Sequence, residues 1–317
     1  MNNKFKGIFK KELNDFVNYK IVNGFSYESQ TYHLIKFDKY TIKNNIEKKE
    51  FTKDLFINFI EDYESISDRT KNTYASIFRE FARYLNIQEI NSYILPKKYY
   101  NSRYNFYPHI YTDNEIKEIF NAVNVSFLSS VPKKQEQVRI ILLLLFKTGM
   151  RIGEVLTIKR CNINYENNTI LLENTKNGTD RLIVIDDKLT KTLYDFETKY
   201  NKKYEYYFEN GCKKLYSVGC FNSIFRKLLY ISKVMHTKNG PRIHDARHNF
   251  CVNSLKQAID NDINLNSFIP LLSSYVGHLD LDSTYKYLHL TVEIFPEIRN
   301  KAKDIVNINK EIHYEEF

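Results

Sequence analysis

Apolar side chains recur at intervals of three and four through four early stretches of the chain: FKKELNDFVNYKIV from Phe9, SQTYHLIKFDKYTI from Ser29, FTKDLFINFIEDY from Phe51 and TKNTYASIFREFARYL from Thr70. That spacing predicts helices burying one face, and Ser67 or Asp68 is suited to cap the last of them. The opening hundred residues are therefore expected to form a small helical bundle. The pattern stops at PKKYYNSRYNFYP, which has a proline at each end and no helical period. It reads as an interdomain linker at about 96–108, which sets the first domain at 1–107 and the second at 109–317.

Helical periodicity resumes after Tyr111, with Thr112 as cap and Glu115 completing a capping-box pattern. QVRIILLLLFKTG predicts a buried helix. In NNTILLENTKNGTDRLIVID two β-rich runs flank Asn177-Gly178, the strongest short-range hairpin signal. Helical patterns return in KLTKTLYDFETKY, VGCFNSIFRKLLYISKVM and IHDARHNFCVNSLKQAI, then at 267–276 and 283–291. The expected fold class is mainly α with a small antiparallel β-sheet. The tail at about 292–317 is amphipathic beyond Pro296, and can pack on its own domain or dock on a neighbouring subunit.

Composition narrows the setting. With 43% hydrophobic and 27% charged residues, 317 residues suffice for two domains that each bury a core. Cys161, Cys212, Cys220 and Cys251 form no C-x-x-C pair and stand at no matching histidine spacing, so reduced thiols in a cytoplasmic setting are expected. The most apolar run, IILLLLF, is far too short to span a bilayer, and no membrane association is expected. Lysine and arginine total 47 against 38 aspartate and glutamate, a net +9. Of this excess, +5 lies in residues 1–107 and +4 in the remainder, which suits a polyanion held between two basic halves. Lys97, Lys98 and Arg103 in the linker are candidates for DNA-backbone contacts, and equally for a tether packed on the protein surface.

Four segments concentrate polar residues with chemical potential: TGMRIGE with Arg151 and Glu154, ENTKNGTDR with Lys176, HDARH with His244 and Arg247, and GHLDLDSTYKYLH with His278 and two tyrosines. Singly each has an ordinary explanation. An arginine opening a helix is commonly a cap, and a lysine beside a hairpin turn is commonly solvated. His244 and His248 stand four apart, as zinc ligands do, but Asp245 replaces the expected glutamate and no third ligand of evident spacing follows. Asp280 and Asp282 lie two apart in a turn and do not compose a two-metal site. No metal site is expected.

Together, and in chain order, the segments resemble the tyrosine recombinase family of phage integrases and Xer-type enzymes. The family pattern is T-G-x-R-x-x-E, a hairpin lysine, H-x-x-R, then G-H with a tyrosine nine residues beyond that histidine. Here it is met by TGMRIGE, TKNGTDRLIVI, HDARH and VGH followed by KYLH. Asn249 and Val276 depart from common family residues beside the motifs. The resemblance implies a helical core-binding, DNA-clamping domain followed by a catalytic domain. It implies that Arg151, Arg247 and His278 bind the scissile phosphate, Lys176 protonates the leaving 5′ oxygen, His244 accepts the tyrosine proton, and Glu154 supports its neighbours.

A site-specific recombinase or integrase is then expected, acting through a 3′-phosphotyrosyl intermediate without metal, ATP or other cofactor. Its expected partners are double-stranded DNA carrying a recombination site and further copies of itself, a tetramer on two sites. The implied place is the bacterial cytoplasm, at the nucleoid when bound to DNA. A type IB-like topoisomerase, or a non-catalytic DNA-binding protein on the same fold, is the alternative. Between the two tyrosines, an unbroken helix from His278 would favour Tyr285, seven residues on. The turn-forming aspartates of HLDLDS instead predict a new helix at Thr284, capped by Asp282 or Ser283, and the family spacing selects Tyr287.

Overall fold

The computed structural model describes residues 4–62, 66–97, 99, 108–126, 128, 130–173, 180–200, 204–209, 215–234 and 240–298. The chain divides into two compact units, residues 1–105 and 106–317.

The first unit holds α1 (Lys10–Val22), α2 (Glu28–Lys43), α3 (Lys53–Glu61) and α4 (Asp68–Ile87). Ser67, rather than Asp68, caps α4: its hydroxyl accepts the Thr70 N–H at 3.3 Å. The apolar stripes meet in an aromatic core, where Phe37 lies edge-on to Phe59 and Phe78 at centroid separations of 5.3 and 4.8 Å. Chain beyond the bundle stays tied to α4. The Arg79 guanidinium donates to the carbonyls of Leu95 (2.7 Å), Pro96 (2.5 Å) and Lys97 (3.1 Å), so the start of the predicted linker is anchored.

The second unit opens with α5 (Asp113–Val125), where the Thr112–Glu115 capping box is complete. There follow α6 (Pro132–Thr148), α7 (Ile152–Leu156), β1 (Ile163–Asn164), β2 (Thr169–Leu172), β3 (Arg181–Val184), α8 (Asp187–Tyr200), α9 (Val218–Ile231), α10 (Asp245–Asp260), α11 (Leu265–Val276) and α12 (Asp282–Ile294). The antiparallel sheet runs β1-β2-β3, with Ile170 opposite Ile183 and Leu172 opposite Arg181. The hairpin strands lie where the β-rich runs predicted them. β1 was not foreseen, because two residues are too short to show alternation. One apolar core gathers α5, α6, the sheet, α8 and α9 around residues such as Ile141, Ile170 and Leu228; a second joins α10, α11 and α12 around Leu255, Ile269 and Leu288.

Between α11 and α12 the helix breaks, as HLDLDS predicted. Gly277, at φ +70°, ends α11, and residues 278–281 are not helical. The predicted start of α12 needs correction. It begins at Asp282 rather than Thr284, with Leu281 at the N-cap and the Asp280 carboxylate accepting the Ser283 N–H at 2.8 Å. Ile298 closes a short turn onto the second core, and residues 299–317, most of the predicted tail, lie outside the described residues. Among the described residues no helix is long and apolar enough to cross a membrane.

Candidate active site

Helix C-termini build the cationic part of the site. α6 stops at Gly149, whose φ of +62° a side chain rarely adopts, and α11 stops at Gly277 in the same way. Each end leaves carbonyls without an intrahelical partner, where the helix dipole is negative. Two arginines take them. Arg247, on the first turn of α10, donates to the Gly149 carbonyl at 2.9 Å and the Val276 carbonyl at 2.6 Å. Arg151, at the N-cap of α7, donates to the Gly277 carbonyl at 3.0 Å. Arg247 is only 2% exposed; burial, and then the charge of Arg151, hold its pKa below the usual guanidinium value. Each guanidinium has five N–H groups, so donors remain after these bonds for an incoming anion.

Glu154 orients Arg151. Its carboxylate accepts the Arg151 backbone N–H and one guanidinium N–H, both at 2.8 Å. It also accepts two bonds from Arg181 of β3, at 2.9 and 2.6 Å. Burial alone would raise the Glu154 pKa; the hydrogen bonds and charge of Arg181, then the bonds from Arg151, outweigh it and hold the carboxyl below its ordinary value. Sequence reasoning missed Arg181. The signal available was alternation, since β3 places this charged residue on the same face as buried Ile183.

Tyr287 lies on α12, 8% exposed, with the α10–α12 core beneath it. Its hydroxyl is 2.8 Å from Nδ1 of His248, and the His278 ring stacks on the Tyr287 ring at 5.8 Å with an 11° interplanar angle. Burial and the nearby Cys251 raise the tyrosine pKa above its usual value, while the charge and hydrogen bond of Arg247 oppose that rise. The histidine beside the hydroxyl is thus His248, which sequence reasoning weighed only as half of a zinc pair. His244, the predicted proton acceptor, is an exposed N-cap residue of α10, its ring 5.0 Å from that of His248. Helical spacing put both on one face and could not choose between them.

Both histidines, half-buried, are held neutral. Desolvation, followed by the charges of His244, Arg247 and His278, lowers the His248 pKa to about 4; desolvation, followed by Arg247 and Arg151, lowers that of His278 to about 4. Nδ1 of His278 lies 2.8 Å from the Thr284 hydroxyl. When that hydroxyl donates, Nε2–H of His278 is left as a donor. His248, His278 and Tyr287 line a cleft of about 460 Å³ that also takes in Lys286 and His289.

Tyr285 is partly buried against the α10–α12 core. Lys97 is exposed in the first unit, and Lys98, Arg103 and Lys176 lie outside the described residues. Among the described residues no three histidine, cysteine, aspartate or glutamate side chains gather in a metal-binding group.

Two arginines anchored on helix ends, two half-buried histidines and a buried tyrosine thus meet in one place. Comparison with known proteins bears on what such a site belongs to. The model of the Phage integrase family matches residues 110–293. Tyrosine recombinase XerA of Saccharolobus solfataricus is 32% identical over 168 residues, covering 53% of this chain and 50% of that protein. XerA of Pyrococcus furiosus is 25% identical over 201 residues, covering 63% of this chain and 64% of that protein. The chain therefore aligns with between half and two thirds of these relatives' length. Among solved structures, the XerH site-specific recombinase bound to a palindromic difH substrate matches with a TM-score of 0.64 at 17% identity, over 90% of this chain and 93% of that one. A lambda integrase dimer bound to a core site matches with a TM-score of 0.63 at 15% identity, over 90% and 78%. These last two likenesses establish the fold, mainly helical with a small antiparallel sheet. The family match covers more than half of the sequence and contains every arginine, histidine and tyrosine of the site, and the chain belongs to the phage integrase family.

Proposed function

We propose that the protein is a site-specific DNA recombinase that breaks and rejoins strands through a covalent bond to Tyr287. The carrying observation is the placement of the Tyr287 hydroxyl at 2.8 Å from neutral His248, beside His278 and within the field of Arg247 and Arg151. A phosphodiester is anionic, and attack loads further charge onto its nonbridging oxygens. Fixed cationic donors are what that transition state requires. Arginine forks suit phosphate better than lysine does, and Nε2–H of His278 adds a third donor.

In the cleavage step the Tyr287 oxygen bonds to phosphorus and the bond to the 5′ oxygen breaks. The tyrosine proton passes to His248, or to His244 one turn away, and the leaving oxygen takes a proton from Lys176. A 3′-phosphotyrosyl link and a 5′ hydroxyl result. Attack by the 5′ hydroxyl of another duplex reverses the step and transfers the strand, so neither metal nor ATP is needed. Relatives named as recombinases, and neighbours solved on DNA substrates, support DNA as the partner. A tetramer on two sites, acting in the bacterial cytoplasm at the nucleoid, belongs to the same proposal, with the first unit clamping the duplex. Glu154 acts as support.

A nicked duplex that loses its 5′ fragment after cleavage traps the covalent adduct. Wild type and the Tyr285→Phe variant are expected to accumulate it, and Tyr287→Phe to accumulate none. Adduct formation by Tyr287→Phe overturns the assignment. Plasmids carrying two sites then separate recombination from relaxation, because a topoisomerase makes no recombinant junctions.

A further inference from the structure

Glu154 carries one negative charge, and two arginines share it. The Arg151–Glu154 pair alone would be neutral, a poor neighbour for a phosphate. With Arg181 the cluster is net cationic, and the charge of Arg151 stays available. Exposure separates their roles. The Arg151 side chain is 23% exposed, whereas those of Arg181 and Glu154 are 9% and 10% exposed. Arg181 also presses on the turn that carries His278. A Cβ added at Gly277 would come within 2.8 Å of its Nη1 and 3.2 Å of its Cζ, so the guanidinium packs on that glycine, whose carbonyl in turn holds Arg151. The strand bearing Arg181 is moreover fastened to α11, where the Tyr275 hydroxyl donates to the Val184 carbonyl at 3.0 Å.

We propose that Arg181 is a positioning residue for phosphate binding: through Glu154 it fixes Arg151, and it offsets the carboxylate so that the cluster stays cationic. The proposal rests on the recombinase reading of the site. Arg181 itself touches no substrate. Its planar fork matches both carboxylate oxygens at once, which a lysine cannot do.

The test is single-turnover formation of the Tyr287 adduct at saturating protein, with wild type, Arg181→Gln, Arg181→Lys, Glu154→Gln and the Glu154→Gln/Arg181→Gln double variant. Arg181→Gln is expected to slow the adduct by on the order of 10- to 100-fold, as small misplacements of reacting groups do, with little change in DNA affinity. The double variant is expected to be far less impaired than the product of the two single losses, since both act on one cluster. A duplex with an uncharged methylphosphonate at the scissile position is expected to narrow the gap between wild type and Arg181→Gln. A purely structural residue would leave that gap unchanged.

Equal rates for wild type and Arg181→Gln overturn the assignment, as does an unchanged gap on the methylphosphonate. Should Arg181→Gln fail to fold, Arg181→Lys keeps the charge and loses the fork. It is expected to be slowed by a smaller factor, and a wild-type rate from it overturns the assignment equally. If wild type itself forms no adduct, the recombinase reading falls first, an outcome distinct from the failure of Arg181 alone.

Discussion

The Tyr287 hydroxyl and Nδ1 of His248 stand 2.8 Å apart although 39 residues separate them in the chain. α10 and α12 bring them together by packing in one apolar core. The contact joins a phenol that burial keeps protonated to an imidazole that burial keeps unprotonated. Under the proposed function such a pair suits proton transfer at the moment of attack rather than a standing phenolate. His248→Ala is accordingly expected to slow adduct formation by roughly 100-fold, the low end for general acid–base catalysis. His244→Ala is the paired measurement. A larger loss from His244→Ala, with His248→Ala near wild type, would return the role to His244.

Stability should depend on pH through the same histidines. His248 and His278 titrate at about 4 in the folded protein, against an ordinary value of 6.5. Between those values the unfolded chain binds protons that the folded chain refuses, so stability rises with pH across the window. It is fully present above about 6.5 and is lost as pH falls towards 4. Each histidine contributes a slope below the ~1.4 kcal/mol per pH unit of a fully differential proton, because both retain some solvent contact. Melting temperatures measured between pH 7 and pH 4.5 should fall for wild type. They should fall less steeply for His248→Asn and His278→Asn; parallel curves would remove both histidines from this account.

Thr284 is expected to matter for catalysis without touching substrate. It is fully buried on the first turn of α12, and its hydroxyl lies 2.8 Å from Nδ1 of His278. Thr284→Val keeps the shape and removes the bond. His278 then loses the partner that selects its tautomer, and a buried ring nitrogen is left unpaired, costing about 1–2 kcal/mol of stability. Adduct formation should slow by about 10-fold, consistent with a donor held less firmly to its phosphate-facing tautomer. Thermal melts and single-turnover rates on the same preparation separate the two effects. A rate equal to wild type, with only the melt lowered, would make Thr284 purely structural.

What the sequence disclosed and what it hid divide along physical lines. Periodicity and turn chemistry are local, so the bundle helices, the hairpin strands and the helix stop before Arg151 were legible from apolar spacing and from residues such as Thr112 and Gly149. The break before α12 was legible too, though Leu281 takes the N-cap and Asp280 the first-turn N–H bond, in place of the two residues weighed for the cap. Hidden features depend on distant partners. Nothing local announced that Arg181 would share Glu154 with Arg151, or that His248 rather than His244 would meet Tyr287. Arg247 was legible as a residue, but not as the link between two helix ends.

That link yields the last prediction. Arg247 bonds the Gly149 carbonyl, at the end of the helix central to one core, and the Val276 carbonyl, at the end of a helix in the other. Its positive charge also sits where both helix dipoles are negative. Lysine keeps the charge but presents one ammonium in place of a planar fork, and cannot hold both carbonyls in the same geometry. One buried acceptor is then left short of its donor, and Arg247→Lys is expected to cost about 2–3 kcal/mol, the range for a lost charge-assisted bond. The damage should reach the site as well, because the same guanidinium draws down the Tyr287 pKa. Denaturant titration of the full chain, together with the adduct assay at a temperature where the variant remains folded, should show both losses. Undiminished stability in Arg247→Lys would mean that the two carbonyls are satisfied without the fork, and that the junction of the two cores does not depend on it.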